Sequence, residues 1–240
     1  MNEKHRLVKM GRKFFGLKLL LLFSLLIIST CKKESTKPED EGNGTETDIE
    51  GNTFKTVKIG DQVWMAENLK VTHFRNGDPI MQVTDDSQWY DLTSGAYCNY
   101  DNDSGKVEVY GRLYNWYAVN DHRKIAPTGW HVPSDAEWQT LIDYLGGDEV
   151  AGGKLKETGT EYWIEPNTGA TNESGFSALP GGFRDAYGNF NSIGGSAWFW
   201  TATASSENAA WYWMLSYAQA NAVHEPYSKR SAYAVRCIQD

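Results

Sequence analysis

The clearest periodic segment of the chain is Trp138, Leu141, Ile142 and Leu145, apolar at i, i+3, i+4 and i+7. That spacing puts one stripe on one face of a helix. Ser134 and Glu137 precede it in the pattern of a capping box, and Gly146-Gly147 stops it. Elsewhere the pattern shortens. Thr53–Ile59 alternates in part, and Gln62–Leu69 follows across Gly60-Asp61, which predicts a hairpin. Asn76-Gly77 marks a second turn. Leu113, Trp116 and Tyr117 predict a short helix over Gly111–Val119, and Asp148–Glu157 a further one weakened by Gly152-Gly153. Thr84–Gly95, pinned by Trp89 and Tyr90, and Thr158–Gly175 have no period and are expected to be loops. Four late runs predict short strands: Ala178–Arg184, Ala197–Ala202, Ala210–Tyr217 and Ala232–Ile238. Strands at both ends around central helices give an α+β class, with the N- and C-terminal strands paired.

The start of the chain follows another logic. Lys4, Arg6, Lys9, Arg12, Lys13 and Lys18 precede an apolar run from Leu19 to Ile28, which ends in Ser29-Thr30-Cys31. A basic segment, an apolar segment too short to span a bilayer comfortably, and then a Cys resemble a bacterial lipoprotein signal peptide over residues 1–30. The alternative is an uncleaved signal anchor, and Thr30 departs from the Gly, Ala or Ser usual before the Cys. The resemblance implies lipidation at Cys31 and a membrane partner. Residues 31–50, with Glu34, Glu39, Asp40, Glu41, Glu46, Asp48 and Glu50, are expected to be an acidic solvated tether, and the domain to run over residues 51–240.

Charge narrows the partners. The chain has 23 Lys+Arg against 31 Asp+Glu, and residues 1–30 hold six of the former and one of the latter, so the remainder carries a formal −13. Such an acidic domain is not built to grip nucleic acid or anionic lipid. Ten Trp and 13 Tyr in 240 residues exclude a wholly disordered chain. With Cys31 lipidated, Cys98 and Cys237 remain, and an exported domain with two Cys most often pairs them. The alternative is two buried free thiols.

Catalytic patterns are sparse. There is no Gly-x-Ser-x-Gly elbow and no His-Glu-x-x-His, and His73, His122, His131 and His224 are widely separated. No cofactor is expected. Calcium has one candidate, Asp101 and Asp103 within Asn99–Gly105, weighed against a plain polar turn. The aromatics say more. Trp198 and Trp200 alternate, as do Trp211 and Trp213, so each pair shares one face of its strand. Filling both faces of two strands with rings would crowd a core, so some ring surface is expected outside. The candidate ligand residues are Trp198, Trp200, Trp211, Trp213, Tyr217, His224, Glu225, Tyr227 and Arg230.

Several strings, in order, are more specific than any single residue: Gly60–Leu69 (GDQVWMAENL), Gly111–Ala118 (GRLYNWYA), Pro127–Trp138 (PTGWHVPSDAEW), Leu179–Arg184 (LPGGFR), Phe199–Thr203 (FWTAT) and the ending Val235-Arg236-Cys237. Together they resemble the Fibrobacter succinogenes major paralogous domain family, found on exported bacterial proteins, many of them lipoproteins. A more distant resemblance is to the C-type-lectin-like fold in its sulfatase-modifying-factor form, carried by the Pro-Ser-Asp-Ala-Glu-Trp and Gly-Gly-Phe-Arg strings. The resemblances imply a C-type-lectin-like α+β domain with short, mostly antiparallel strands. They also imply a place in the bacterial cell envelope, anchored by lipid at the outer membrane on its periplasmic or surface face. The expected function is non-enzymatic binding of a glycan or envelope protein. A structural or adhesive module is the second reading. An oxidase of the formylglycine-generating type is disfavoured, because those enzymes use a copper-binding pair of late cysteines and only Cys237 is late here.

Overall fold

The hairpin that opens the domain follows its turn residues. Strands β2 (Thr53–Ile59) and β3 (Gln62–Met65) pair antiparallel around Gly60-Asp61, with Ile59 opposite Gln62. Gly60 has φ +62°, a backbone state that favours glycine. β3 ends four residues before the predicted Leu69. The computed structural model describes residues 44–240. The expected signal peptide, Cys31 and the tether as far as residue 43 lie outside the described residues. Residues 44–50 do not continue that tether. They enter the fold as β1 (Gly44–Thr47) on β2, because their acidic side chains find donors: Glu46 accepts from Trp130 Nε1 (2.8 Å), and Glu50 from the Thr72 and His73 amides (2.6 and 2.7 Å). The folded part therefore begins earlier than residue 51.

Down the chain come β4 (Met81–Gln82), α1 (Asp86–Tyr90), β5 (Ala96–Cys98), α2 (Val107–Tyr110), β6 (Leu113–Asn115), α3 (Trp116–Val119), β7 (Trp130–His131), α4 (Asp135–Tyr144) and α5 (Asp148–Leu155). The late strands are β8 (Gly181–Arg184), β9 (Phe190–Ile193), β10 (Ser196–Ala204), β11 (Ala209–Ser216), β12 (Ala222–Ser228), β13 (Ala232–Tyr233) and β14 (Ile238–Gln239). One sheet has the order β1-β2-β3-β14-β7 and the other β12-β11-β10-β8-β13-β6-β5-β4, with β9 on β8. Pairing is antiparallel except at β10–β8 and β4–β5. The class is α+β and sheet-rich, and the N- and C-terminal strands do pair, Ile238 standing opposite Trp64.

The helix α4 forms as its stripe predicts. Ser134 Oγ accepts the Glu137 amide, Glu137 Oε2 accepts the Ser134 amide (2.7 Å), and Trp138, Leu141 and Ile142 are fully buried. Each such side chain contributes ~1.5–3 kcal/mol. α5 keeps its two glycines for a steric reason. A Cβ on Gly152 would meet Asn221 O at 2.2 Å, and one on Gly153 would meet Gly169 O at 2.2 Å. The run Gly111–Val119 splits into β6 and α3, since Asn115 turns its side chain to cap α3 at the Ala118 amide (3.1 Å). Within Thr84–Gly95, Asp85 caps the unpredicted helix α1 and Trp89 is fully buried. The Ala232–Ile238 run is broken into β13 and β14, which serve different sheets.

Candidate functional site

β10 and β11 divide the interior. Ala197, Phe199, Trp213 and Leu215 face a cluster built on α4 and α5, whereas Trp200, Ala210 and Tyr212 face a cluster built on β3, β6 and α3. Both faces are therefore buried along the middle of the strands. Trp200 and Trp213 are fully enclosed, so neither can meet a ligand, against the expectation for these two. Trp200 Nε1 donates to Tyr114 O (2.9 Å), and Trp213 stacks on Trp138 (6.4 Å between centroids).

Ring surface does reach solvent where the second of these faces runs out. Register places Trp198 opposite Met214, Tyr212 opposite Glu225, and Ala210 opposite Tyr227. Directly opposed residues share a face, so Trp198, Tyr212, Met214, Glu225 and Tyr227 lie on one surface. Phe183 of β8 joins it, 4.5 Å from Trp198, and Tyr212 closes the other side at 4.8 Å. Beneath them Tyr233 sits 5.2 Å from both Trp198 and Tyr212. Trp198, Phe183 and Met214 are half-buried, Glu225 is exposed, and Tyr227 is 45% exposed. The Trp198 indole is fixed by a bond from Nε1 to Ser196 Oγ (2.6 Å). Burial, with Glu225 and Tyr227 adding, pushes the Tyr212 phenol up to about 12, so it keeps its proton. Burial likewise raises Tyr233 well above the ordinary phenol range, and its hydroxyl and that of Ser231 are buried without a hydrogen-bond partner.

The other expected residues take separate places. His224 is clamped between Trp211 and Trp213 (4.5 and 4.6 Å, nearly parallel), and its Nε2 meets Asp135 Oδ1 at 2.6 Å. That stack faces α4, away from the shelf. Tyr217 packs against the α4–α5 cluster. Arg230 donates to Tyr90 O (2.8 Å) and lies over the Tyr90 ring (4.8 Å), which stacks on Tyr187 (5.8 Å). Of nine expected ligand residues, the structure gathers Trp198, Glu225 and Tyr227 at one accessible surface. Phe183, Tyr212 and Met214 complete it. Tyr212 and Met214 follow from alternation with Ala210 once the β10–β11 register is known, and β12 escaped notice because Glu225 and Pro226 interrupt any apolar pattern. Pro226 is tolerated because β12 is an edge strand.

The remaining expectations concern ions and thiols. Asp101 Oδ2 is taken by Lys106 Nζ (2.7 Å), and Asp103 Oδ1 accepts the Gly105 amide (2.8 Å). Among the described residues, no group of three or more His, Cys, Asp or Glu is placed to hold a metal. The Cys98–Cys237 bridge is absent. Both are buried free thiols, Cys98 in a cluster with Trp89 and Leu113 and Cys237 in one with Met65 and Trp130. The split of the last predicted strand carries Cys237 to the first sheet, away from β5. Burial pushes Cys98 up to about 12 and Cys237 higher still, so neither is a nucleophile at neutral pH. Among the described residues no helix is long and apolar enough to cross a membrane.

The model of one protein family, the Fibrobacter succinogenes major domain, matches residues 57–239. A search of curated proteins and a search of solved structures found no match.

Proposed function

We propose that this chain, which belongs to the Fibrobacter succinogenes major domain family, is a non-enzymatic binding protein of the cell envelope whose shelf of Trp198 and Tyr227, backed by the buried Tyr212, takes a glycan. In this reading the domain is C-type-lectin-like and hangs from a lipid on Cys31. Support for the fold comes from the paired terminal strands and the late strands that carry the shelf. Support for the anchor comes from the basic and apolar run before Cys31.

The observation that carries the binding reading is the half-buried Trp198, held rigid by Ser196 and flanked by Phe183 and Tyr212, with an exposed carboxylate opposite Tyr212 on the same face. Flat rings with fixed rotamers suit the C–H faces of a sugar, because little side-chain entropy is lost on binding. Glu225 supplies acceptors for hydroxyls. A protein partner is the second reading, favoured by the exposed Tyr187–Tyr90–Arg230 ladder.

A glycan array probed with the chain from residue 32 onward, with calcium and with chelator, tests the proposal. Binding that falls in Tyr227→Ala and in Trp198→Leu, both still folded by circular dichroism, supports it. Binding unchanged in both variants would remove the shelf from the site. A blank array would favour the protein-partner reading.

A further inference from the structure

A second site lies on the other sheet. A cavity of about 800 Å³ opens between β2, the end of β3, α2 and the 157–179 segment, a volume within the range of small-molecule sites. Arg236 lines it and is itself 1% exposed. The guanidinium lies over the Phe176 ring (4.2 Å). Its Nε donates to Asn68 Oδ1 (2.8 Å), Nη1 to Phe176 O, and Nη2 to Ser177 O (3.0 Å). All three acceptors are neutral. Arg184, equally buried, has the Asp86 carboxylate at 2.7 Å, whereas Arg236 touches no carboxylate among the described residues. Five N–H donors meet three acceptors. Glu67 and Glu157 act on the guanidinium only across a distance; a buried charge with no carboxylate in contact is costly, and an anion brought to it gains more than it would at the surface.

The walls restrict which anion. Lys70 is occupied by Glu108 (3.1 Å) and Glu67 (3.7 Å), which leaves Glu157 as the carboxylate on the wall that holds no cation in contact. Lys55 and Lys70 line the cavity beside Arg236, so three cations stand against Glu67, Glu108 and Glu157 and the wall is balanced overall. A ligand that carries one charge of each sign matches such a wall without leaving either uncompensated. Val57, Tyr162 and Leu179 add apolar surface to the same lining. Gly44 and Thr45 also line the cavity, and β1 is the outer strand of its sheet among the described residues, an edge that suits an extended backbone.

We infer that this cavity binds a short peptide with free ends, its carboxylate at Arg236, its amino group at Glu157 and its apolar side chains against Val57 and Tyr162. The site is independent of the aromatic shelf. Calorimetric titration of the full chain in detergent with the tripeptide Ala-Leu-Ala tests it, in parallel with the C-terminal amide and the N-acetyl form. The free peptide is expected to bind, and the amide to bind roughly tenfold more weakly or worse, as loss of a charge-assisted pair implies. Glu157→Gln should weaken the free peptide and abolish its advantage over the acetylated one. Arg236→Gln should remove the preference for the free carboxylate. Should that variant not fold, the amide comparison on the unaltered chain decides. No binding of the free peptide at millimolar concentration, or equal binding of acid and amide, would overturn the inference.

Discussion

Replacing Gly152 by alanine should destabilise the protein, although alanine is the better helix former by ~1 kcal/mol. The added Cβ would stand 2.2 Å from Asn221 O, more than an ångström inside normal contact, and 2.8 Å from Ala220 O. The obstacle is backbone, so no rotamer change relieves it. Either α5 or the hairpin between β11 and β12 must move. The movement strains the bond from the Gly153 amide to Ala220 O (2.8 Å), worth ~1 kcal/mol. Overpacking of this kind costs ~1–3 kcal/mol, and a backbone obstacle with a strained hydrogen bond puts it at the upper end. After the propensity gain is subtracted, a net loss of ~2 kcal/mol remains. In a domain of this size that lowers Tm by about 4–8 °C. Differential scanning calorimetry or a urea titration measures it, with Val150→Ala on the same helix, 43% exposed, as the reference that should change little. A Gly152→Ala protein as stable as the parent, or more so, would refute the claim that α5 keeps its glycines for close approach.

Three further outcomes follow from the same contacts. Ser134→Ala removes one half of the capping box on α4 and should cost ~1 kcal/mol in a urea titration; an unchanged midpoint would discredit the cap. Cys98 and Cys237 should both react with a thiol reagent in denatured, unreduced protein and neither in the native state, and a pair unreactive until reduced would restore the bridge. His131 holds Asp240 through Nδ1 (2.7 Å) and Glu137 through Nε2 (2.9 Å). Burial opposes its charge, but the bonds to those two carboxylates outweigh burial and raise its pKa. A raised folded value stabilises the protein while His131 is protonated, below its unfolded pKa, and the contribution is lost as pH rises through the folded value. The stability difference between the parent and His131→Gln should therefore be larger at pH 5.5 than at pH 8.5, by urea midpoints; a difference independent of pH would sink the argument.

How much of this was legible beforehand depended on whether a signal was local. Ser134, Glu137 and the Trp138 stripe name α4 because capping and periodicity act within one turn. Gly60-Asp61 names the first hairpin for the same reason. Asn115 defeats the pattern around it, since its side chain both caps α3 and accepts the distant Ala96 amide (2.9 Å), and only tertiary structure supplies that second partner. The shelf was half legible. Trp198 and Tyr227 stand out by type, but the same reasoning promoted Trp200 and Trp213, which are equally aromatic and wholly enclosed. Type cannot separate them, because β10 and β11 are buried on both faces through their middle and on one face only further along. The cysteine argument rested on number and export, which say nothing of where the two thiols lie, and the fold puts them in different clusters.

Buried cations explain how so much irregular chain is held around those sheets. The segments that the hydrophobic pattern leaves blank have carbonyls with no ladder to join, and such groups must find donors. Lys156, with no exposure, gives its three N–H groups to Thr168, Ser216 and Gln219 carbonyls (2.9, 2.7 and 2.8 Å). Burial brings its pKa down to about 8. Lys229 does the same for Ser206 and Glu207, and Arg184 for Val83, Thr84 and Gly188. Each lies over a ring, Trp163, Trp116 and Trp89 respectively, which offsets part of the lost hydration. These cations staple loops, and the tryptophans that look like ligand platforms in the sequence are in several cases the seats for the staples. Arg236 shares the arrangement, yet it alone of the four borders the cavity on the β1–β2 side, with three of its five N–H groups taken. A cation that has completed its bonds, as Lys156 has, can only hold the fold; one that keeps spare donors at the wall of a cavity can also hold a ligand.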